Sequence, residues 1–195
     1  MNFLESNCSF KPFTSELIAS SNKFECDNSD LNDFFLNDCV NYSQQLLGKT
    51  YCFTLDSDDK NIVCAFTISN DSIKVSNLPS ARKNKLTTRI PRQKRFKSYP
   101  AVLIGRLGVN KIYKRNGIGS ELMDFIKSWF VDKDNKTGCR FIVVDSYNTE
   151  NALNYYLKNE FEFLFSTESQ EKENIGNQRE LKTRLMYFDL LNLEV

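Results

Sequence analysis

The sequence predicts a mixed α/β fold, with all 195 residues read as one domain. Three observations carry this. Short apolar runs of strand length alternate with longer stretches in which apolar residues recur at helical spacing. Near the middle, an apolar run passes through a polar, glycine-bearing turn directly into an amphipathic stretch, a strand–turn–helix unit over residues 104–131. Hydrophobic residues make up 41% and charged residues 26% of the chain, with only 7 Gly and 4 Pro, enough apolar material for a continuous core.

Residues 9–14 read as a first strand, which Pro12 confines to a sheet edge. From Asp27 the cap-forming Asp27, Asn28 and Ser29 precede Leu31, Phe34, Phe35, Cys39, Tyr42 and Leu46. This stripe predicts two consecutive helices, with Asp30 and Asp33 in a first turn that favours acids and Gly48 as the C-terminal stop. Residues 50–55 and 62–69 read as antiparallel strands joined by a loop over 56–60, with a short edge at 72–76. The basic segment containing Pro79, Pro91 and Pro100 is expected to be the least regular part. A central strand follows over 101–109, then a helix from Gly117 to about Val131 and a buried strand over 141–145. Residues 148–158 read as helix, 161–165 and 181–190 as closing strands, and 166–178 as a polar loop between them.

The turn over 110–120 is the chemically informative part. Ile118, Leu122, Phe125, Ile126 and Trp129 follow it at helical spacing, so it lies on a helix N-terminus. Such an end has unpartnered backbone N–H groups and a partial positive charge, which suits a phosphate. Gly117 and Gly119 let the backbone approach an anion closely. A P-loop would need Lys-Ser/Thr after its last glycine, where this chain has Ser120-Glu121. A dinucleotide fingerprint would need a third glycine near Leu122.

Lys114-Arg115-Asn116-Gly117-Ile118-Gly119 resembles motif A of the GCN5-related N-acetyltransferases (GNAT), Gln/Arg-x-x-Gly-x-Gly/Ala, with Lys114 in the first position. Downstream, Asn151-Ala152-Leu153-Asn154-Tyr155-Tyr156 followed by Phe161 resembles the family's Ala-x-x-Phe-Tyr-x-x-x-Gly-Phe, with Glu160 in the place of the glycine. The resemblance implies a mostly antiparallel central sheet flanked by helices. It implies acetyl-CoA as co-substrate, its pantetheine arm along Leu107, Gly108 and Val109. The pyrophosphate would lie on residues 114–120, through Lys114, Arg115, Asn116, Gly117, Ile118, Gly119 and Ser120, with Asn151 a further contact. Tyr156 aligns with the tyrosine that in many family members hydrogen-bonds or protonates the departing sulfur.

Phe24-Glu25-Cys26 with Leu31-Asn32-Asp33-Phe34, together with the Ile104-Gly105-Arg106-Leu107-Gly108-Val109 strand, resembles one bacterial subgroup. That subgroup includes the acetyltransferase toxins of toxin–antitoxin pairs, which acetylate the amino group of aminoacyl-tRNA. It brings charged tRNA, an antitoxin protein and a homodimeric partner as expectations.

Composition narrows the chemistry. The chain has no histidine, which excludes His-based triads and the usual zinc sites. Cys8, Cys26, Cys39, Cys52, Cys64 and Cys139 form no Cys-x-x-Cys pair and read as structural thiols; no metal is expected. No apolar run reaches the roughly 20 residues of a membrane span, and the start Met-Asn-Phe-Leu-Glu-Ser lacks signal-peptide character, so a cytoplasmic protein is expected. Net charge is +1, yet eight basic residues and no acidic one fall between Arg82 and Lys97. That block is either a solvated loop or a polyanion site, with Arg89, Arg92 and Arg95 as the candidate RNA contacts. The α-amine of an aminoacyl ester is weakly basic and substantially neutral at neutral pH, so it needs no dedicated base. Two other readings stand beside this one: a housekeeping acetyltransferase of small amines or protein N-termini, and a CoA-binding module without catalysis, for which the departures at Lys114 and Glu160 leave room.

Overall fold

The computed structural model describes residues 2–90, 96–135, 137–176 and 179–193. The mixed α/β expectation holds. Seven strands form one sheet in the order β1-β2-β3-β4-β5-β7-β6. These are β1 (Cys8–Pro12), β2 (Lys49–Leu55), β3 (Asp58–Lys74), β4 (Ser98–Val109), β5 (Phe141–Tyr147), β6 (Glu162–Phe163) and β7 (Thr183–Asp189). The β1–β2, β2–β3, β5–β7 and β6–β7 pairings are antiparallel. Helices are α1 (Phe3–Asn7), α2 (Ser15–Ser20), α3 (Ser29–Asp33), α4 (Cys39–Gln44), α5 (Ser80–Thr87), α6 (Ile118–Val131), α7 (Glu150–Lys158) and α8 (Glu168–Ile175). No helix among the described residues is long and apolar enough to cross a membrane.

The chain folds into two compact units: Met1–Ser69 with Ile104–Trp129, and Asn70–Leu103 with Phe130–Val195. In the first, β1 lies at the sheet edge, as Pro12 requires, and pairs with β2 from Cys8↔Leu55 to Pro12↔Tyr51. The helical stripe after Asp27 forms α3 and α4 fused through a π-helical turn, Phe34–Asp38, with the Asn28 side chain capping α3 through the Leu31 N–H. Phe35 and Cys39 from this helical segment share one core cluster with Phe13, Cys52, Ile62 and Ala65. α6 buries Leu122, Met123 and Ile126 completely. Its Phe125 and Trp129 join Phe10, Tyr51, Phe53 and Phe66 in one aromatic cluster.

In the second unit, β5 and β7 pair along their whole length, from Phe141↔Asp189 to Tyr147↔Thr183. Phe141, Val143, Tyr187, Phe165, Tyr99 and Leu86 form its core. α8 is anchored by a buried ion pair in which Arg184 Nε donates to Glu171 at 2.7 Å. The other Glu171 carboxylate oxygen accepts the Leu185 N–H, also at 2.7 Å, so the buried charge is fully partnered.

Five local expectations are corrected. The 56–60 loop shrinks to a two-residue turn, since β3 starts at Asp58. The separate edge at 72–76 is the far end of the same 17-residue β3. The basic segment starts with a helix, α5, and the polar stretch after Ser166 contains α8. Gly48 is not the helix stop: Leu46 takes the left-handed conformation (φ 58°). The Leu47 and Leu46 N–H groups close on the Tyr42 and Ser43 carbonyls in a Schellman pattern. Gly48 is required for close approach, because a Cβ there would lie 2.5 Å from Tyr42 Cε1 and 2.7 Å from the Ile68 carbonyl oxygen.

Candidate active site

The turn after β4 is built by hydrogen bonds that its sequence supplies. The Asn110 N–H donates to Val63 O at 2.9 Å and its side-chain amide to Ile62 O at 3.0 Å. The Asn110 side-chain oxygen accepts the Ile112 N–H and starts the 3₁₀ turn Lys111–Tyr113. Two left-handed residues follow, Arg115 (φ 63°) and Gly117 (φ 82°). The Gly117 carbonyl accepts the N–H groups of Ser120 (2.9 Å) and Glu121 (3.1 Å), so it caps α6. The N–H groups of Asn116 and Gly117 donate to no described group, and both residues are exposed beside Arg115. A Cβ on Gly117 would meet nothing within 4 Å and would project into open space. Left-handed residues among amides at a helix N-terminus make an anion-binding concavity. The residues over 115–118 therefore fit a pyrophosphate, while Ile118 is buried beneath them.

Lys114 has a different position from the one its place in the motif implied. Its Nζ donates to Cys26 O at 2.6 Å and pairs with Asp27 Oδ2 at 3.0 Å. Arg115, next to it, is exposed. The lysine ties the loop to the Phe24–Phe34 element, and other bonds do the same. The Lys111 N–H donates to Glu25 O at 2.7 Å, and Lys111 Nζ pairs with Glu25. Lys111 and Lys23 together hold the Glu25 carboxyl down at about 2.

That element also accounts for Gly108. The Cys26 N–H donates to Asn32 Oδ1 at 2.8 Å, fixing the thiol over β4. A Cβ on Gly108 would stand 3.1 Å from Cys26 Sγ and 3.3 Å from Phe35 Cε2. Phe24 and Phe35 meet edge to face, with centroids 5.4 Å apart. The Phe-x-Cys and Leu-Asn-x-Phe residues thus seat one helix on the strand end that carries Leu107, Gly108 and Val109. Their spacing alone did not reveal this packing.

In the second unit, Asn151 lies exposed in the first turn of α7, and Tyr156 half-buried in its last. The Tyr156 ring meets Tyr155 at 5.0 Å and Phe161 at 5.4 Å. Its hydroxyl has no hydrogen-bond partner among the described residues, and burial raises its pKa. Glu160 has φ 65°. The N–H groups of Phe161 and Glu160 donate to the Tyr156 and Leu157 carbonyls, again a Schellman pattern. This explains the glycine of the signature: the position is left-handed, and here a glutamate adopts it.

Arg89 lines a polar cavity of about 230 Å³ with Lys85, Arg140, Glu160, Glu162, Tyr187 and Asp189. Arg140 is bidentate on Asp189, with both bonds at 2.7 Å, and Lys85 pairs with Glu162. Arg82 donates to Leu164 O at 3.1 Å. Arg92 and Arg95 lie outside the described residues. The six cysteines are all free. Burial pushes Cys8 and Cys39 up to about 11 and Cys52 up to about 12, far from thiolate chemistry. No cluster of metal-ligating side chains occurs among the described residues.

The model of the acetyltransferase (GNAT) family matches residues 32–161, two thirds of the chain. The chain belongs to the GNAT family. It is an acetyl-CoA-dependent acetyltransferase, as motif A and the tyrosine signature implied. No curated protein sequence matches it. Among solved structures, AtaT complexed with acetyl-methionyl-tRNAfMet is similar with a TM-score of 0.67 and 18% identity, over 96% of this chain and 97% of AtaT. A tyrosine-to-phenylalanine mutant of KacT is similar with a TM-score of 0.65 and 15% identity, over 96% and 97%. A tyrosine-to-phenylalanine mutant of the AtaT toxin, bound to the C-terminus of the antitoxin AtaR and acetyl-CoA, has a TM-score of 0.60 and 13% identity, over 95% and 94%. At these identities the likeness establishes that this acetyltransferase shares their fold.

Proposed function

We propose that this GNAT acetyltransferase moves the acetyl group of acetyl-CoA to the α-amine of an aminoacyl-tRNA in the cytoplasm, and that an antitoxin chain is its protein partner. The observation that carries the reading is the end-to-end likeness to AtaT complexed with acetyl-methionyl-tRNAfMet. The likeness to AtaT bound to AtaR supports the antitoxin. The seating of the Phe24–Phe34 element on Gly108 supports the same subgroup.

Acetyl-CoA supplies an activated acetyl group and departs as a thiol. The main chain of Leu107, Gly108 and Val109 offers hydrogen bonds to the pantetheine arm in the manner of an added strand. The amides from Asn116 to Gly119, with Ser120 and the Arg115 guanidinium, hold the pyrophosphate, and Asn151 adds a polar contact. A backbone N–H near Val109 stabilises the charge developing on the carbonyl oxygen. The neutral α-amine forms a bond to the thioester carbonyl carbon, and the C–S bond breaks as Tyr156 donates its proton to the departing sulfur. The proton lost by the amine nitrogen restores the phenol. A tyrosine is already protonated at neutral pH, the state in which an acid must begin, and burial moves Tyr156 further in the same direction. Arg89, Arg92 and Arg95 supply cationic contacts to RNA phosphates.

The test supplies purified protein and labelled acetyl-CoA with charged tRNA, deacylated tRNA, polyamines, free amino acids and peptides. Label on charged tRNA alone is the expected result. Label only on a small amine or peptide would make this a housekeeping acetyltransferase. Acetyl-CoA binding without transfer to any acceptor would make it a non-catalytic module.

A further inference from the structure

Alternate residues of a strand share a face, so Ile104, Arg106 and Gly108 project to the same side of β4. Ile104 is 3% exposed and Gly108 lies under Cys26 and Phe35, yet Arg106 between them is exposed. Its guanidinium stands 5.2 Å from the centroid of the Phe34 ring. One Nη donates to the Gly105 carbonyl at 2.8 Å. Among the described residues no carboxylate pairs with it. Phe34 opens the π-helical turn and is fixed edge to face by Phe35 (5.6 Å) and Tyr42 (5.8 Å). A cation is therefore held on an aromatic ring, with most of its donors unused.

A guanidinium in this setting takes a phosphate in bidentate fashion. Along a strand, Arg106 lies about 7 Å from Gly108. We propose that Arg106, held in place by Phe34, binds a backbone phosphate near the 3′ end of the acceptor tRNA and so positions the aminoacyl ester beside the strand end at Gly108. This rests on the aminoacyl-tRNA reading above. A small amine or a peptide N-terminus has no such phosphate near its nucleophile and would not use Arg106.

The experiment compares wild type, Arg106→Gln and Arg106→Lys in acetylation of charged tRNA over a range of salt, with acetyl-CoA affinity measured separately on each protein. One lost charge-assisted phosphate contact predicts a rise in KM for charged tRNA of about 10- to 100-fold in Arg106→Gln. The slope of log affinity against log salt becomes shallower by about 0.7, one phosphate's share for a single strand. Arg106→Lys keeps the wild-type slope with a smaller rise in KM, and acetyl-CoA affinity is unchanged in both variants. A wild type that labels charged tRNA, beside an Arg106→Gln variant with the same KM and slope, overturns the phosphate contact and leaves the functional reading intact. Loss of acetyl-CoA affinity by the same factor as KM overturns it in favour of a co-substrate role. A wild type that labels no charged tRNA overturns the functional reading and this contact together.

Discussion

Gly108→Ala tests whether the Phe24–Phe34 element is seated on β4 as described. The new Cβ would stand 3.1 Å from Cys26 Sγ and 3.3 Å from Cys26 Cβ and Phe35 Cε2. Each contact must open by a few tenths of an ångström to reach ordinary van der Waals distance. Cys26 and Phe35 are 4% and 1% exposed, so neither has solvent to move into. Overpacking of this kind costs about 1–3 kcal/mol. The alanine also restricts the unfolded chain, which returns about 0.4–1 kcal/mol. The net expectation is a loss of about 1–2 kcal/mol, or about 2–8 °C in Tm for a chain of this length. Acetyl-CoA affinity should fall as well, because the strand that would bind the pantetheine arm shifts. The assay is chemical denaturation of Gly108→Ala, Cys26→Ala and the double variant, beside acetyl-CoA binding. Removing the Cys26 thiol relieves the clash, so the double variant should lose less than the sum of the single losses, by at least about 0.5 kcal/mol. Strictly additive losses would refute the packing argument.

Tyr156→Phe should lower kcat by about 100-fold or more while leaving acetyl-CoA affinity intact, the pattern of a lost proton donor. A raised pKa means that the wild-type phenol stays protonated as pH rises through the neutral range. The rate should therefore climb with deprotonation of the acceptor amine and show no fall from Tyr156 below about pH 10, the ordinary tyrosine value; a fall near pH 8 that disappears in Tyr156→Phe would contradict this. Gly117→Ala places a Cβ at φ 82°, a strain of about 1–2 kcal/mol, and weakens acetyl-CoA binding, as calorimetry with the variant would register. Glu160→Gly relieves the left-handed strain at the end of α7 and, after the entropy of an added glycine, raises stability by up to about 1 kcal/mol, read from the denaturation midpoint.

The fold was legible in the sequence wherever a period was strong. The stripe of Ile118, Leu122, Phe125, Ile126 and Trp129 gave α6 to within a residue, and the apolar run ahead of it gave β4. α8 was missed because its one buried contact is a glutamate, Glu171, whose partner Arg184 belongs to a later strand. α5 was missed because its basic residues read as a solvated loop, although Leu86 is 3% exposed. Gly48 resembled a helix stop because glycine usually ends helices. Here the neighbouring Leu46 takes the left-handed turn, and Gly48 admits Tyr42 and the Ile68 carbonyl.

The candidate site divides along the same line. A backbone cradle announces itself by its glycines, and Gly117 has the positive φ that only glycine adopts freely. Side-chain partnerships between distant segments leave no local signal. Lys114 meets Cys26 and Asp27 across more than 80 residues, and Arg106 meets Phe34 across about 70. A glutamate stands in the place of the signature glycine, and the turn keeps its left-handed geometry around Glu160.

The central claim is acetylation of the α-amine of an aminoacyl-tRNA, and the chemical identity of the labelled product tests it most directly. Charged tRNA is incubated with labelled acetyl-CoA and the protein, its ester is cleaved with mild base, and the released amino acid is analysed. The account predicts that the label is recovered as N-acetylamino acid, that deacylated tRNA takes up none, and that Tyr156→Phe forms product far more slowly. Label retained on the RNA after the ester is cleaved, or found only on a free amine, would contradict it.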